Sequence, residues 1–185
     1  MNFRERAALP YTVAGGFLAM VSVGSLAMLL QAPLLAPPLG ATAFLCFTAP
    51  RSRGASPRSV LLSHALGLLC GYVALLLTSM TEQSSAFAGG FRAGHVLACA
   101  LGVAGTILTC VLCDAPHPPA GATTLVVGLG ILRQPQQLLI FECGVLAVVV
   151  VAIVVNRLAG IDFPLWRPAE ESAPESALPD EAPPA

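Results

Sequence analysis

Long apolar runs separated by short polar connections dominate this chain. Val13 to Gln31 is the first run, close to the length that spans a hydrocarbon core. Leu34 to Pro50 is the second, interrupted at Pro37-Pro38. A loop carrying Arg51, Arg53 and Arg58 leads into the third, Ser59 to Ser79. Met80 to Arg92 is a polar connection holding Glu82, and Ala93 to Cys113 is the fourth run. Asp114-Ala115-Pro116-His117-Pro118-Pro119 breaks the chain and opens the fifth, Ala120 to Leu132. After a turn at Arg133 to Gln137, Leu138 to Val155 is the sixth. The pattern predicts helices throughout and a lipid-exposed surface, that is, an all-α integral membrane protein.

Two of the interruptions match each other. Pro37-Pro38-Leu39-Gly40-Ala41-Thr42 and Pro118-Pro119-Ala120-Gly121-Ala122-Thr123 lie 81 residues apart. Each half therefore reads long, broken, long, which predicts two three-segment repeats, each with a proline-broken middle segment. If all six segments cross, each half holds an odd number of crossings and the second half is inverted relative to the first. The expected organisation is a head at 1–12, repeats at 13–79 and 93–158, a connection at 80–92 and an interfacial segment at 159–167. An acidic Pro/Ala-rich tail at 168–185 closes the chain and is expected to be disordered.

Arginine placement bears on the number of crossings. With the N-terminus in the cytoplasm and six crossings, Arg4, Arg6, Arg51, Arg53, Arg58, Arg157 and Arg167 fall inside, and Arg92 and Arg133 outside, as the positive-inside rule requires. If both broken segments instead dip in and return, four crossings remain and the loop Arg51–Arg58 falls outside. Six crossings with both termini cytoplasmic is the favoured expectation.

Composition agrees with lipid as the solvent. Of 185 residues 56% are hydrophobic and 10% charged, against about 25% charged in a soluble domain. Mean hydropathy is +0.79. The net charge of -1 combines nine arginines and five acids up to residue 169 with five acids and no base beyond it; lysine is absent. No basic patch stands in a polar context, so nucleic acid is not an expected partner. The six cysteines all lie in apolar surroundings. Cys110 and Cys113 have the spacing of half a metal site but no second pair, so neither metal nor any other cofactor is implied.

Chemistry concentrates at the two breaks. Proline removes an amide and restricts its predecessor, so the chain ahead of each pair should be non-helical. A helix can start directly after it. Its first amides then lack internal partners, and the helix dipole adds partial positive charge. Gly40, Ala41 and Thr42, like Gly121, Ala122 and Thr123, keep bulk low around those amides. Together with the hydroxyls of Thr42, Thr123 and Thr124 they form a candidate cradle for a small inorganic anion. The same small residues also permit close helix packing. His117 stands at the second break, where the first half has Ala36, and can donate to an anion or carry a proton. Asp114 is a candidate for orienting it. His64 and Glu142 lie inside spans, where ionisable groups face a cavity or a partner. His95, near a helix start, is expected at the interface.

These residues resemble the HPP family of integral membrane proteins, named for a His-Pro-Pro motif. The resemblance rests on His117-Pro118-Pro119 continuing to Thr123, on Gly40-Ala41-Thr42-Ala43, Ala49-Pro50, Pro57-Arg58 and His64. It extends to Asn156-Arg157-Leu158 and Phe163-Pro164-Leu165-Trp166 near the end. Leu39, Leu62-Ser63 and Arg53-Gly54 depart from the family's usual residues. The resemblance implies a bundle usually counted as four membrane helices. It also implies similarity to the nitrite transporters of chloroplasts and cyanobacteria. The expected function is therefore transport of a small monovalent anion, with nitrite as a candidate, in a bacterial inner membrane. Six short segments enclose little volume, which points towards a homo-oligomer. The competing readings are a channel-like pore and a non-conducting structural or regulatory subunit. No nucleophile–base set or phosphate loop supports an enzyme.

Overall fold

In a computed structural model, residues 3–166 are described and are helical nearly throughout. The helices are α1 (Phe3–Leu30), α2 (Pro37–Thr48), α3 (Pro57–Leu77), α4 (Ala86–Gly89), α5 (Ala93–Leu112), α6 (Pro119–Gly128) and α7 (Pro135–Leu158). A single 3-10 turn, Arg53–Ala55, precedes α3. Four helices start on a proline, at residues 37, 57, 119 and 135. A proline there gives up an amide that would be orphaned anyway and presets φ for the first turn. Ser56 caps α3 by accepting from the Ser59 amide at 3.3 Å, and Gln134 and Gln137 form a reciprocal cap on α7.

Four helices, α1, α3, α5 and α7, are long and apolar enough to cross a membrane. The other two segments are composite. The 12 residues of α2 and the ten of α6 give rises of about 18 and 15 Å, short of the roughly 30 Å hydrocarbon core. Each is preceded by about six non-helical residues, 31–36 and 113–118, which extend its reach by up to about 20 Å.

Chain direction follows from the contacts. Leu35 lies beside Gly24 and Phe47 beside Gly15, so α2 runs back along α1. Ala120 meets Gly67 and Val127 meets Gly71, so α6 runs alongside α3 in the same sense. One end of the bundle gathers Tyr11 and Asn156, which hydrogen-bond each other, with Asn156 also donating to the Cys46 carbonyl at 3.4 Å. At that end the Arg58 amide donates to Trp166 at 3.0 Å and its guanidinium to Cys113 at 2.7 Å. The opposite end joins the Ala86 amide to the Leu129 carbonyl at 2.9 Å and sets Gly130 against Ser85. Four long helices thus connect the two ends, with the short α2 and α6 packed among them.

The core is formed by Leu39, Phe47, Val60, Leu75, Val127 and Phe141, all essentially inaccessible. Around it α1 packs on α2 and α7, α5 on α3 and α6, and α3 and α2 each reach both α6 and α7. Gly67 lets α3 and α6 approach closely: a Cβ there would lie 2.8 Å from the Ala120 carbonyl oxygen. Three boundaries differ from the sequence expectation. The helix α1 begins at Phe3 and includes Pro10, so the head at 1–12 is continuous with the first span; a proline early in a helix leaves most of the ladder beyond it intact. The connection 80–92 holds the single turn α4, and α7 starts at Pro135 because proline initiates it. The tail at 168–185, and Arg167, lie outside the described residues.

Candidate functional site

Four polar side chains from separate segments converge in the apolar interior. Thr42 comes from α2, His64 from α3, His117 from the break ahead of α6, and Thr123 from the first turns of α6. Three are fully inaccessible and His117 is 4% exposed. Thr42 Oγ1 lies 2.8 Å from His64 Nε2 and 3.0 Å from His117 Nε2. The opposite nitrogen of His64, Nδ1, is 2.7 Å from Thr123 Oγ1. The two Nε2 atoms are 3.2 Å apart, and the rings cross at 61° with centroids 4.9 Å apart. Phe141 of α7 closes the cluster, 6.3 Å from the His64 ring centre.

Local structure fixes each group. The Thr42 hydroxyl also lies 2.9 Å from the Pro38 carbonyl one turn back, which holds its rotamer. His117 Nδ1 is 2.7 Å from the Gly54 carbonyl, so the 3-10 turn holds the ring from the other side. A carbonyl only accepts, so Nδ1 carries hydrogen. Ser63 donates to the Ala115 carbonyl at 2.5 Å and ties the break to α3 one residue before His64.

Above this cluster, towards the Arg58 end, the chain is latched. Asp114 follows α5 in a left-handed conformation, φ 48°, which aspartate tolerates better than most side chains. Its two carboxylate oxygens each accept from Arg53 Nη2 at 2.6 Å. Arg58 donates to the Asp114 carbonyl at 2.7 Å. Arg53 and Asp114, with Cys110, Val111 and Pro116, line a cavity of about 250 Å³. Neighbouring residues Arg53 and Gly54 therefore hold the break at two points, Asp114 outside and His117 inside.

The remaining expected residues divide. Gly40 and Gly121, equivalent in the two motif copies, are alike: a Cβ at either would meet no atom within 4 Å. Neither is a packing glycine within this chain, unlike Gly67. Ala41 is exposed and Ala122 partly so. Thr124 turns away from the cluster, its hydroxyl 2.7 Å from Thr106 on α5. Asp114 does not orient His117; it pairs with Arg53, because the left-handed residue directs its side chain to the basic turn. Glu142 Oε2 is buried with no hydrogen-bond partner and does not join the cluster. His95, expected at an interface, is fully buried with both ring nitrogens unpartnered. Several first-turn amides are engaged locally: Leu39 with Ala36 at 3.0 Å, Ala120 with His117 at 3.0 Å and Gly121 with Pro118 at 3.1 Å. The hydroxyls and imidazoles are then the polar atoms facing the meeting point.

Sequence reasoning missed Gly54, Ser63 and Phe141. Gly54 and Ser63 were marked only as departures from the family's usual residues, and nothing in the sequence marks Phe141. Among the described residues no group of three or more His, Cys, Asp or Glu side chains is placed to hold a metal ion.

Comparison with known proteins agrees with this architecture. A transmembrane protein of Dictyostelium discoideum is 29% identical over 133 residues, covering 70% of this chain and 43% of that protein. The chain thus spans less than half the length of this curated relative. No solved structure matches significantly. Residues 2–164 match the description "HPP, transmembrane region". With its four long apolar helices and the His117-Pro118-Pro119 motif at the centre of the bundle, the chain belongs to the HPP family of membrane proteins.

Proposed function

We propose that this protein transports a small monovalent inorganic anion, nitrite being the first candidate, between two inverted repeats whose broken segments meet at the anion's site. The observation that carries the reading is the seating of His64. Thr42 and Thr123 are equivalent in the two motif copies, and they lie on its opposite ring nitrogens, at 2.8 and 2.7 Å. The starts of both short helices, with their partial positive charge, therefore lie close to one buried polar centre.

The packing supports an inverted repeat. Exchanging α1, α2 and α3 with α5, α6 and α7 turns the α1–α7 contact into α5–α3, α1–α2 into α5–α6 and α2–α7 into α6–α3. The 81-residue offset also carries the contact of Ser63 with Ala115 onto that of Gly144 with Leu34. Arg51, Arg53, Arg58 and Arg157 belong to one end and Arg92 and Arg133 to the other, a bias that supports a cytoplasmic side for the first end.

Purified protein in liposomes tests the function with nitrite uptake at pH 8, measured against protein-free vesicles. Saturable uptake, stimulated by nitrite on the far side and reduced in Thr42→Val and Thr123→Val, is expected. Flux that rises linearly without saturation makes the protein a pore. No flux from protein that remains folded overturns the reading.

A further inference from the structure

We infer that His64 and His117 form a single-proton site, in which one proton is shared between the two Nε2 atoms and accompanies the anion. The inference rests on the transport reading above and supplies its coupling ion. Hydrogen-bond accounting carries it. His117 Nδ1 must donate to the Gly54 carbonyl at 2.7 Å, so in the neutral ring Nε2 is bare. It faces His64 Nε2 at 3.2 Å. With both rings neutral, the Thr42 hydroxyl donates to the Pro38 carbonyl, His64 carries its hydrogen on Nε2, directed at His117 Nε2, and its Nδ1 accepts from the Thr123 hydroxyl at 2.7 Å. Every polar atom is then satisfied.

One added proton is accommodated by a change of tautomer. It sits on His117 Nε2 and points at His64 Nε2, now a bare acceptor. His64 carries its hydrogen on Nδ1 and donates to Thr123, whose hydroxyl accepts as readily as it donates. The atoms are conserved: one proton enters, one His64 hydrogen changes nitrogen, and the net charge rises by one. A second proton would place two imidazolium rings 4.9 Å apart with nothing to neutralise them. The groups facing the pair are neutral: Thr42 and the Pro38 carbonyl from α2, the Gly54 carbonyl from the 3-10 turn, Thr123 from α6 and Phe141 from α7. Asp114 is committed to Arg53, and Glu142 makes no hydrogen bond to either ring.

The site thus holds zero or one positive charge. A monovalent anion beside the charged state makes the occupied site neutral, so proton and anion favour each other's binding, and a divalent anion is left uncompensated. The expected cycle is electroneutral, one proton per anion.

The test is 15N NMR of histidine-labelled full-length protein in detergent, titrated with and without sodium nitrite, with His95 resonances assigned through His95→Leu. Both rings of the pair should move in one shared step with an uptake of one proton, because a coupled pair titrates as a unit. Addition of nitrite should shift the midpoint upward, and sulfate should not. His117→Gln should abolish the shared step while leaving a folded spectrum. Two separate uptake steps, or no uptake by either ring between pH 3 and 9, a range of about six units, overturns the single-proton site. A shared step that nitrite fails to move overturns the pairing of proton and anion, whereas failure of the transport reading registers separately, as absence of nitrite flux in liposomes.

Discussion

Gly67 and Gly121 sit on facing helices yet should respond oppositely to the same substitution. At Gly67 an alanine Cβ would lie 2.8 Å from the Ala120 carbonyl oxygen and 3.0 Å from Thr124 Oγ1. Restoring an ordinary contact of 3.4 Å requires α3 and α6 to part by 3.4 minus 2.8, or 0.6 Å. The obstacle is backbone, which cannot rotate aside as a side chain would. Opening a packed seam by that much forfeits about a quarter to a half of the dispersion well for each atom pair along it. Overpacking of this kind costs about 1–3 kcal/mol. At Gly121, and equally at Gly40, the new methyl meets nothing within 4 Å. Both substitutions gain helical propensity of at most about 1 kcal/mol, and that gain cancels in the comparison. Gly67→Ala should therefore be less stable than Gly121→Ala by about 1–3 kcal/mol. At about 2–4 °C per kcal/mol for a chain of this size, the gap in melting temperature is between about 2 and 12 °C. Thermal unfolding in detergent, followed with a thiol-reactive dye that reads exposure of the buried Cys46, measures it. If Gly121→Ala melted as low as Gly67→Ala, the space beside Gly121 would be filled in the folded protein and the reasoning would fail.

Other outcomes follow from the same contacts. Ser63→Ala strips the 2.5 Å donor from the buried Ala115 carbonyl and should lower stability by about 1–3 kcal/mol, read by the same melt; no change would mean the carbonyl finds another donor. His95→Leu replaces a fully buried ring with no hydrogen-bond partner, so the melting temperature should stay level or rise, and a clear fall would mean that its nitrogens are partnered. Arg53 and Asp114 are 47% and 71% exposed, so an Arg53→Gln/Asp114→Asn double-mutant cycle should return a coupling of no more than about 1 kcal/mol. A larger value would show the pair to be shielded from water in the membrane-embedded protein.

How much of this was legible depended on which physical effect wrote each feature. The four long helices were readable because a span in lipid must be uniformly apolar and roughly 20 residues long. The starts of α2 and α6 were readable because proline leaves little choice of backbone at a first turn. The starts of α1 and α7 were not, since the residues before Val13 and Leu138 are polar enough to read as loops yet continue the helix. At the site, the motif pointed to Thr42, His117 and Thr123, while for His64 the sequence implied only a supporting place facing a cavity or a partner. Only the parallel packing of α3 on α6, set by Gly67 and Gly71, brings it between the two threonines. Asp114 was assigned to the wrong partner because sequence distance to His117 is short, whereas a left-handed turn separates them in direction.

The proposed repeat is geometrically even and chemically lopsided, and the lopsidedness has a consequence. Adding or subtracting the offset of 81 carries Thr42 onto Thr123, but it carries His64 onto Val145 and His117 onto Ala36. Exchange of the halves therefore maps the histidine pair onto a valine and an alanine. It likewise maps the hydrogen-bonded contact of Ser63 and Ala115 onto the apolar one of Gly144 and Leu34. A pocket with two equal polar halves would hold two charges or none, and a small bundle in lipid can stabilise neither two buried cations nor an unneutralised anion. With one half apolar, the proposed titratable centre belongs to the other half alone, and Phe141 of α7 lies 6.3 Å from the His64 ring centre. The latch at Arg53, Gly54 and Asp114 is attached to the break that carries His117. Thus, on this reading, the break ahead of α6 moves by releasing polar contacts and the break ahead of α2 by sliding apolar ones. The two movements then differ in their dependence on salt and protons even where the proposed repeat makes them equivalent in sequence position.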